Sequence, residues 1–232
     1  VAEKILSNKN NLQILFEDNH IIVVNKRAGD IVQGDKTGDK PLSDVVKEYI
    51  KDTYNKPGNV YLGVVHRLDR PTTGLVIFAK TSKALTRLNA MFVKKDVTKT
   101  YWAVVNNTPP KQQDTLINWL KKNPKNNKST AYNKEIKDSK KAILHYTLIK
   151  KLERYVLLEV ALETGRHHQI RCQLSNIGCI IKGDLKYGAD RSNKDASIHL
   201  HARHIQFLHP VTKADILITA PLPKDPLWEA CL

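Results

Sequence analysis

Apolar and polar positions repeat with two different periods along the chain, and the changes of period mark its elements. Residues 12–25, LQILFEDNHIIVVN, are two short apolar runs around a polar turn at Glu17–Asn19, which predicts a strand pair. A Gly/Asp-rich loop follows at 29–40. Leu42, Val45, Val46 and Tyr49 then recur at helical spacing behind Pro41, a residue suited to a helix start. VYLGVV (60–65) predicts a strand, and GLVIFAK (74–80) a second one, buried on both faces. Thr81 or Ser82 can cap a helix whose Leu85, Leu88 and Phe92 share one face.

The pattern continues with a strand at TKTYWAVVNN (98–107) and an exposed, Lys/Asn-rich hairpin loop at 121–134. Two or three strands are expected through 141–163, including RYVLLEVAL. HHQIRCQLSNIG (167–178) puts Ile170, Leu174 and Ile177 on one helical face, with Gly178 as the C-cap. Short strands around HIQFLH (204–209) and ADILITA (214–220) precede a Pro-rich end. Many strands with few helices between them predict an α+β fold with largely antiparallel sheet. Neither a repeat nor a long linker divides the chain, so a single domain over 1–232 is expected, with 1–11 a flexible N-terminal segment.

Charge changes the picture most. Against 23 Asp+Glu stand 38 Lys+Arg, a net charge of +15. So large an excess costs self-repulsion and points to a polyanionic partner, RNA or DNA. The plainer reading is general solubility or a Lys/Asn-rich coding style. Three cysteines, Cys172, Cys179 and Cys231, form no C-x-x-C motif and no even set, as expected in a reducing compartment. No apolar run is long enough for a membrane span, and the N-terminus lacks an apolar signal core. A cytoplasmic monomer with neither a membrane nor an obligate protein partner is the expectation.

Candidate chemistry begins at HRLDRPTTG (66–74). Asp69 lies between Arg67 and Arg70 in a segment closed by Pro71 and Gly74. Two fixed cations favour the ionised carboxylate. The acid either reacts, as a nucleophile or base, or organises its loop by pairing with an arginine. With no second acid close in sequence, a paired-carboxylate hydrolase is poorly supported. In ETGRHHQIRCQL (163–174), a helix starting near Arg166 would set His167 and Arg171 four apart on one edge. Arg171 beside an apolar Ile170 can reach inward and hold a carboxylate bidentately; the alternative is a solvated basic face touching phosphate.

Nine histidines invite a metal reading, with His199, His201, His204 and His209 close together, but the ligand set is incomplete and no metal is expected. Tyr101 and Trp102, being neighbours, point to opposite faces of their strand; one can be core and the other a stacking surface, and ordinary sheet packing of both is the simpler reading.

Taken together, HRLDRPTTGLVIFAK (66–80), KTYWAVV (99–105), TGRHHQIRCQLSNIGCIIKGDLKYG (164–188) and LHARHIQFLHPVT (200–212) resemble the RluA family of RNA pseudouridine synthases. FEDNHIIVVNKRAGDIV (16–32) is similar to that family's opening strand pair. The resemblance implies a long mixed, mostly antiparallel sheet with a central catalytic cleft, a stand-alone core with no S4-type domain before it, and no cofactor. It implies isomerisation of uridine in structured ribosomal or transfer RNA. Asp69 matches the catalytic aspartate, Tyr101 the tyrosine packed on the target uracil and proposed to assist removal of the C5 proton, and Arg171, ahead of Arg166, the basic partner of the aspartate. Arg67 matches an arginine that fills the space of the extruded nucleotide; Arg70, Lys99, Arg166 and His167 are the further expected RNA contacts. Departures at Arg27, Pro71, Thr73 and Cys172–Gln173 touch recognition more than chemistry. Two rival classes stay open: a catalytically silent RNA-binding protein, and an RNA-cleaving enzyme using His167 or His168 as acid and base.

Overall fold

The computed structural model describes residues 5–35 and 37–232, so the first four positions of the expected N-terminal segment lie outside it. Its strands are β1 (Ile14–Glu17), β2 (Ile21–Lys26), β3 (Gly63–Val64), β4 (Thr73–Ala79), β5 (Thr98–Val105), β6 (Gln113–Asn123), β7 (Lys128–Tyr132), β8 (Lys140–Lys151), β9 (Val156–Leu162), β10 (Leu200–Leu208) and β11 (Asp215–Thr219). Its helices are α1 (Leu42–Thr53), α2 (Ser82–Lys94), α3 (Gln169–Asn176) and a short α4 (Pro226–Glu229). The fold class is α+β, as the strand-rich pattern predicts. Among the described residues no helix is long and apolar enough to cross a membrane. Two compact units divide the chain: residues up to Thr98 with Ala202–Leu222, and Lys99–His201 with Pro223–Leu232.

In the first unit the strand order is β1-β2-β4-β10, with β3 on β4 and β11 on β10. β2 and β4 pair antiparallel, Val23 opposite Ile77 and Lys26 opposite Gly74, and both are buried along their whole length. Their unbroken apolar runs require cover on both faces. Ile22, Val24, Val76 and Phe78 form one core with Val45, Val46 and Ile50 of α1. The polar turn before β2 is set by Asp18, whose Oδ1 accepts from the N–H groups of His20 (2.7 Å) and Ile21 (2.8 Å). Thr81 caps α2 by accepting from the Ala84 N–H at 3.1 Å.

Gly74 is where side-chain size is most constrained. Its φ is +110°, and a Cβ there would meet the backbone nitrogen and carbonyl carbon of Ala202 at 2.6 and 2.8 Å. Backbone cannot yield as a flexible side chain can, so the glycine that ends HRLDRPTTG is what lets β4 lie close to β10.

The second unit is an antiparallel ladder in the order β5-β9-β8-β6-β7. The Lys/Asn-rich stretch expected as a loop is the hairpin of β6 and β7; only 124–127 lie between the strands. α3 packs on β6 and β7, burying Cys172 with Leu120, Ala142 and Tyr187. Gln173, fully buried, donates to the carbonyl of Leu116 (3.1 Å) and to Asn118 Oδ1 (2.9 Å). α3 closes as predicted: Gly178 follows it at φ +80°, and the Cys179 N–H returns to the Leu174 carbonyl at 2.9 Å.

Its start differs from the sequence expectation. The helix begins at Gln169 rather than near Arg166, so His167 precedes it and does not share a helical edge with Arg171. Gln169 causes the delay. Its Oε1 accepts from Thr164 Oγ1 (2.7 Å) and the Arg166 N–H (3.0 Å), and its Nε2 donates to the Ile143 carbonyl (3.0 Å). A buried amide that satisfies the loop this way competes with another helical turn. His168 then takes a left-handed φ of +53° as the residue before the helix.

Candidate active site

Asp69 stands half-buried at the mouth of a tight turn between β3 and β4, where the Thr72 N–H donates to the Asp69 carbonyl at 3.0 Å. The turn is stitched from below by a residue absent from the sequence-based site. Lys26, 1% exposed, ends an otherwise apolar strand and sends its ammonium to the carbonyls of Arg27 (2.9 Å), Arg70 (3.0 Å) and Thr72 (2.7 Å). Three ammonium donors meet three carbonyls, each such charge-assisted bond being worth about 1.5–3 kcal/mol. The Gly29 N–H adds a bond to the same Arg70 carbonyl at 2.8 Å. The backbone that carries Asp69 is thereby fixed to β2. A lone lysine closing the run IIVVNK was the available sign.

The neighbouring arginines divide. Arg67 is exposed. Arg70 reaches the loop before α1, bonding Asp39 Oδ2 at 2.6 Å and Thr37 Oγ1 at 2.9 Å. Its guanidinium holds the Asp39 carboxyl below its ordinary value, chiefly through that hydrogen bond. His66 is a packing residue: its Nε2 accepts from the Ile77 N–H at 3.1 Å and its ring stacks on Phe92.

In the second unit Tyr101 lies on β5 opposite Val160, 6% exposed, while its neighbour Trp102 faces the other way with its indole N–H 3.4 Å from Glu159. Lys99 precedes Tyr101 by two residues and so shares its face of the strand. Burial lowers the Lys99 ammonium from its usual range. Its Nζ lies 3.9 Å from where a Cβ on Gly165 would stand, so KTYW and TGRHHQ come together in space.

Arg171 is 5% exposed and held by Asp184, 1% exposed, in a bidentate pair: Nε to Oδ2 at 2.7 Å and Nη2 to Oδ1 at 2.8 Å. Tyr187 lies beneath the same guanidinium, 5.1 Å from its ring centre. Its hydroxyl accepts from the Ser129 N–H (2.9 Å) and lies 3.1 Å from His168 Nδ1; burial raises its pKa strongly. GDLKYG (183–188) therefore supplies both sides of a cradle for Arg171, which sequence spacing did not disclose. Of the remaining expected RNA contacts, Arg166 donates from Nε to the Lys141 carbonyl (2.9 Å), and His167 bonds Ser129 Oγ (2.9 Å) and stacks on His168.

A strongly basic α+β chain with an acid on a braced turn fits the class of RNA-modifying enzymes. The comparisons make this particular. The family model for RNA pseudouridylate synthase matches residues 20–176. The ribosomal large subunit pseudouridine synthase D of Zymomonas mobilis is 33% identical over 224 residues, 92% of this chain and 70% of that protein. The tRNA pseudouridine synthase C of Vibrio cholerae is 28% identical, with 95% of this chain and 94% of the relative covered. The fold is shared with human RNA pseudouridylate synthase domain containing 4, at a TM-score of 0.76 and 23% identity over 91% of this chain and 89% of that one. The chain belongs to the RNA pseudouridylate synthase family, as its RluA-type motifs implied. It is an RNA pseudouridine synthase, an isomerase of uridine in RNA.

Proposed function

We propose that this chain converts specific uridines of ribosomal or transfer RNA to pseudouridine within one catalytic domain, Asp69 being the reacting carboxylate. The braced Asp69 turn carries the reading: Lys26 bonds the Arg70 and Thr72 carbonyls just after the acid and so holds the turn that presents its carboxylate. The relatives' names, which include both ribosomal and transfer RNA enzymes, support the substrate class.

The base is out of reach inside a stacked helix, so the nucleotide is flipped into the site first. Asp69 then opens the N-glycosidic bond, by attack on the sugar or base or by taking a sugar proton to give a glycal. Uracil turns, its C5 joins C1′ of the ribose, the C5 proton is lost to solvent, and the freed N1 takes up a proton in exchange. Atoms balance within the nucleotide and no redox change occurs, so the reaction needs no metal or organic cofactor. Tyr101 packs on the uracil, and Arg171 serves as the cation that keeps the carboxylate charged. Arg67, Arg70, Lys99, Arg166 and His167 contact the RNA. A basic protein binding this way shows strong salt dependence.

RNA carrying tritium at uridine C5 is expected to release label to water on incubation with the protein, at the same rate with and without EDTA. If several unmodified ribosomal and transfer RNAs all retain their label, the synthase assignment of this site fails. RNA-length analysis of the same samples separates isomerisation from cleavage. Tyr101→Phe keeps the flat face and removes the hydroxyl, so RNA affinity should persist while single-turnover product formation slows by about 10²-fold or more, the scale of a lost general acid or base. A near-wild-type rate would make Tyr101 an ordinary sheet residue.

A further inference from the structure

We propose a second RNA-binding surface on the β6–β7 hairpin, which takes an unpaired strand flanking the target nucleotide. It rests on RNA being the substrate but not on any role of Asp69, Tyr101 or Arg171.

Residues directly opposite one another in a sheet share a face. Trp119 pairs with Tyr132 on one side and with Lys141 on the other, giving a row of three side chains across β7, β6 and β8. The alternate positions, Leu120 and Ala131, turn the opposite way into the core under α3. The Trp119 row therefore lies on the sheet face that α3 does not cover. Tyr132 is 36% exposed, and Ile117 in the adjoining row 48%. The Lys141 ammonium stands 5.9 Å from the Trp119 ring centre, and Lys121 follows in the next row toward the tip, opposite Thr130.

Charge identifies the occupant. Lys121 and Lys141 flank the rings on this face, within a segment, 121–141, that carries eight lysines against two acids over both its faces. Of the two, Lys121 has the exposed Asp138 at 3.7 Å. A protein-docking face is depleted of lysine, whereas flat aromatic rings ringed by ammonium groups suit stacked bases and their phosphates. The hairpin is also held firm: Lys186 Nζ bonds the Asn126 and Asn127 carbonyls at its tip (3.3 and 3.2 Å), and Cys172 Sγ meets the Ser129 carbonyl. A rigid platform loses little entropy when a strand settles on it.

The test measures affinity of the full chain for a fluorescent 12-nucleotide oligouridine and for a structured RNA across a salt series. Tyr132→Ala should weaken oligouridine binding about tenfold, within the range of one lost stacking contact, while Tyr132→Phe should bind normally. Lys121→Gln with Lys141→Gln should lower the slope of log K against log salt by about 1.4, two contacts at roughly 0.7 each. The same charge removal at Lys51 and Lys56 of the other unit should leave the slope higher. Turnover at saturating RNA should be unchanged in Tyr132→Ala, and its melting temperature should match the parent. Unaltered oligouridine affinity in both hairpin variants, or an equal loss from the Lys51/Lys56 pair, would overturn the proposal. A protein that binds normally yet forms no pseudouridine would sink only the synthase reading.

Discussion

Replacing Asp69 by Asn is expected to leave a folded, RNA-binding protein that forms no pseudouridine. The amide matches the carboxylate in shape, and main-chain carbonyls of the turn are themselves bonded. The Thr72 N–H still reaches the residue-69 carbonyl, and Lys26 still reaches Arg70 and Thr72. What disappears is the anion that, in the proposed mechanism, attacks or takes a proton. Single-turnover product formation should fall by more than about 10³-fold, which is above roughly 4 kcal/mol of barrier. RNA affinity should hold or rise, because a negative charge beside the phosphate backbone is gone. The alternative role of Asp69, pairing with a loop arginine to keep the segment ordered, makes the opposite prediction. In that case Asp69→Asn loses binding and melting temperature together with activity. Filter binding, thermal melting and single-turnover kinetics on the one variant decide between them.

The periodicity of the chain disclosed the scaffold well because each element obeys one local rule. β2 and β4 are continuous apolar runs, α1 and α2 carry a clean helical stripe behind Pro41 and Thr81, and α3 stops at a glycine. Asp69 stood out through the chemistry of its motif, Arg171 through its motif and helical spacing, and Tyr101 only through the resemblance to the RluA family. What stayed hidden were contacts between residues distant in sequence. Nothing in IIVVNK shows that its lysine reaches carbonyls 44 and 46 residues away. Asp184 lies 13 residues from Arg171, beyond the range of helical spacing. Gln169 displaced the α3 start through its side-chain amide, a competition with the backbone that residue spacing does not encode. The short α4 was missed for the same kind of reason: Asp225 caps it at 2.9 Å from the Leu227 N–H, in a stretch whose prolines read as irregular.

Removing the carboxylate of Asp184 should be the most destabilising single change in the second unit. A buried ion pair adds little net stability when intact, since desolvating two charges offsets their attraction. Breaking it is another matter, because the surviving charge remains buried without its counter-ion. Asp184→Ala strips the guanidinium of Arg171 of its two bonds to Asp184, at 2.7 and 2.8 Å, in a site 5% exposed. The expected cost is about 3–5 kcal/mol, or a melting temperature lower by roughly 6–20 °C at this chain length. Stability and chemistry can then be separated by removing both charges. Arg171→Met with Asp184→Leu removes both charges of this pair and leaves an apolar pair over Tyr187, so most of the lost stability should return. If Arg171 is the cation that keeps the reacting carboxylate charged, this stable double variant should still make no pseudouridine. Recovered turnover along with recovered stability would reduce Arg171 to a structural partner of Asp184. An unchanged melting temperature in Asp184→Ala would show that the guanidinium finds its compensation elsewhere, and that GDLKYG does not cradle it.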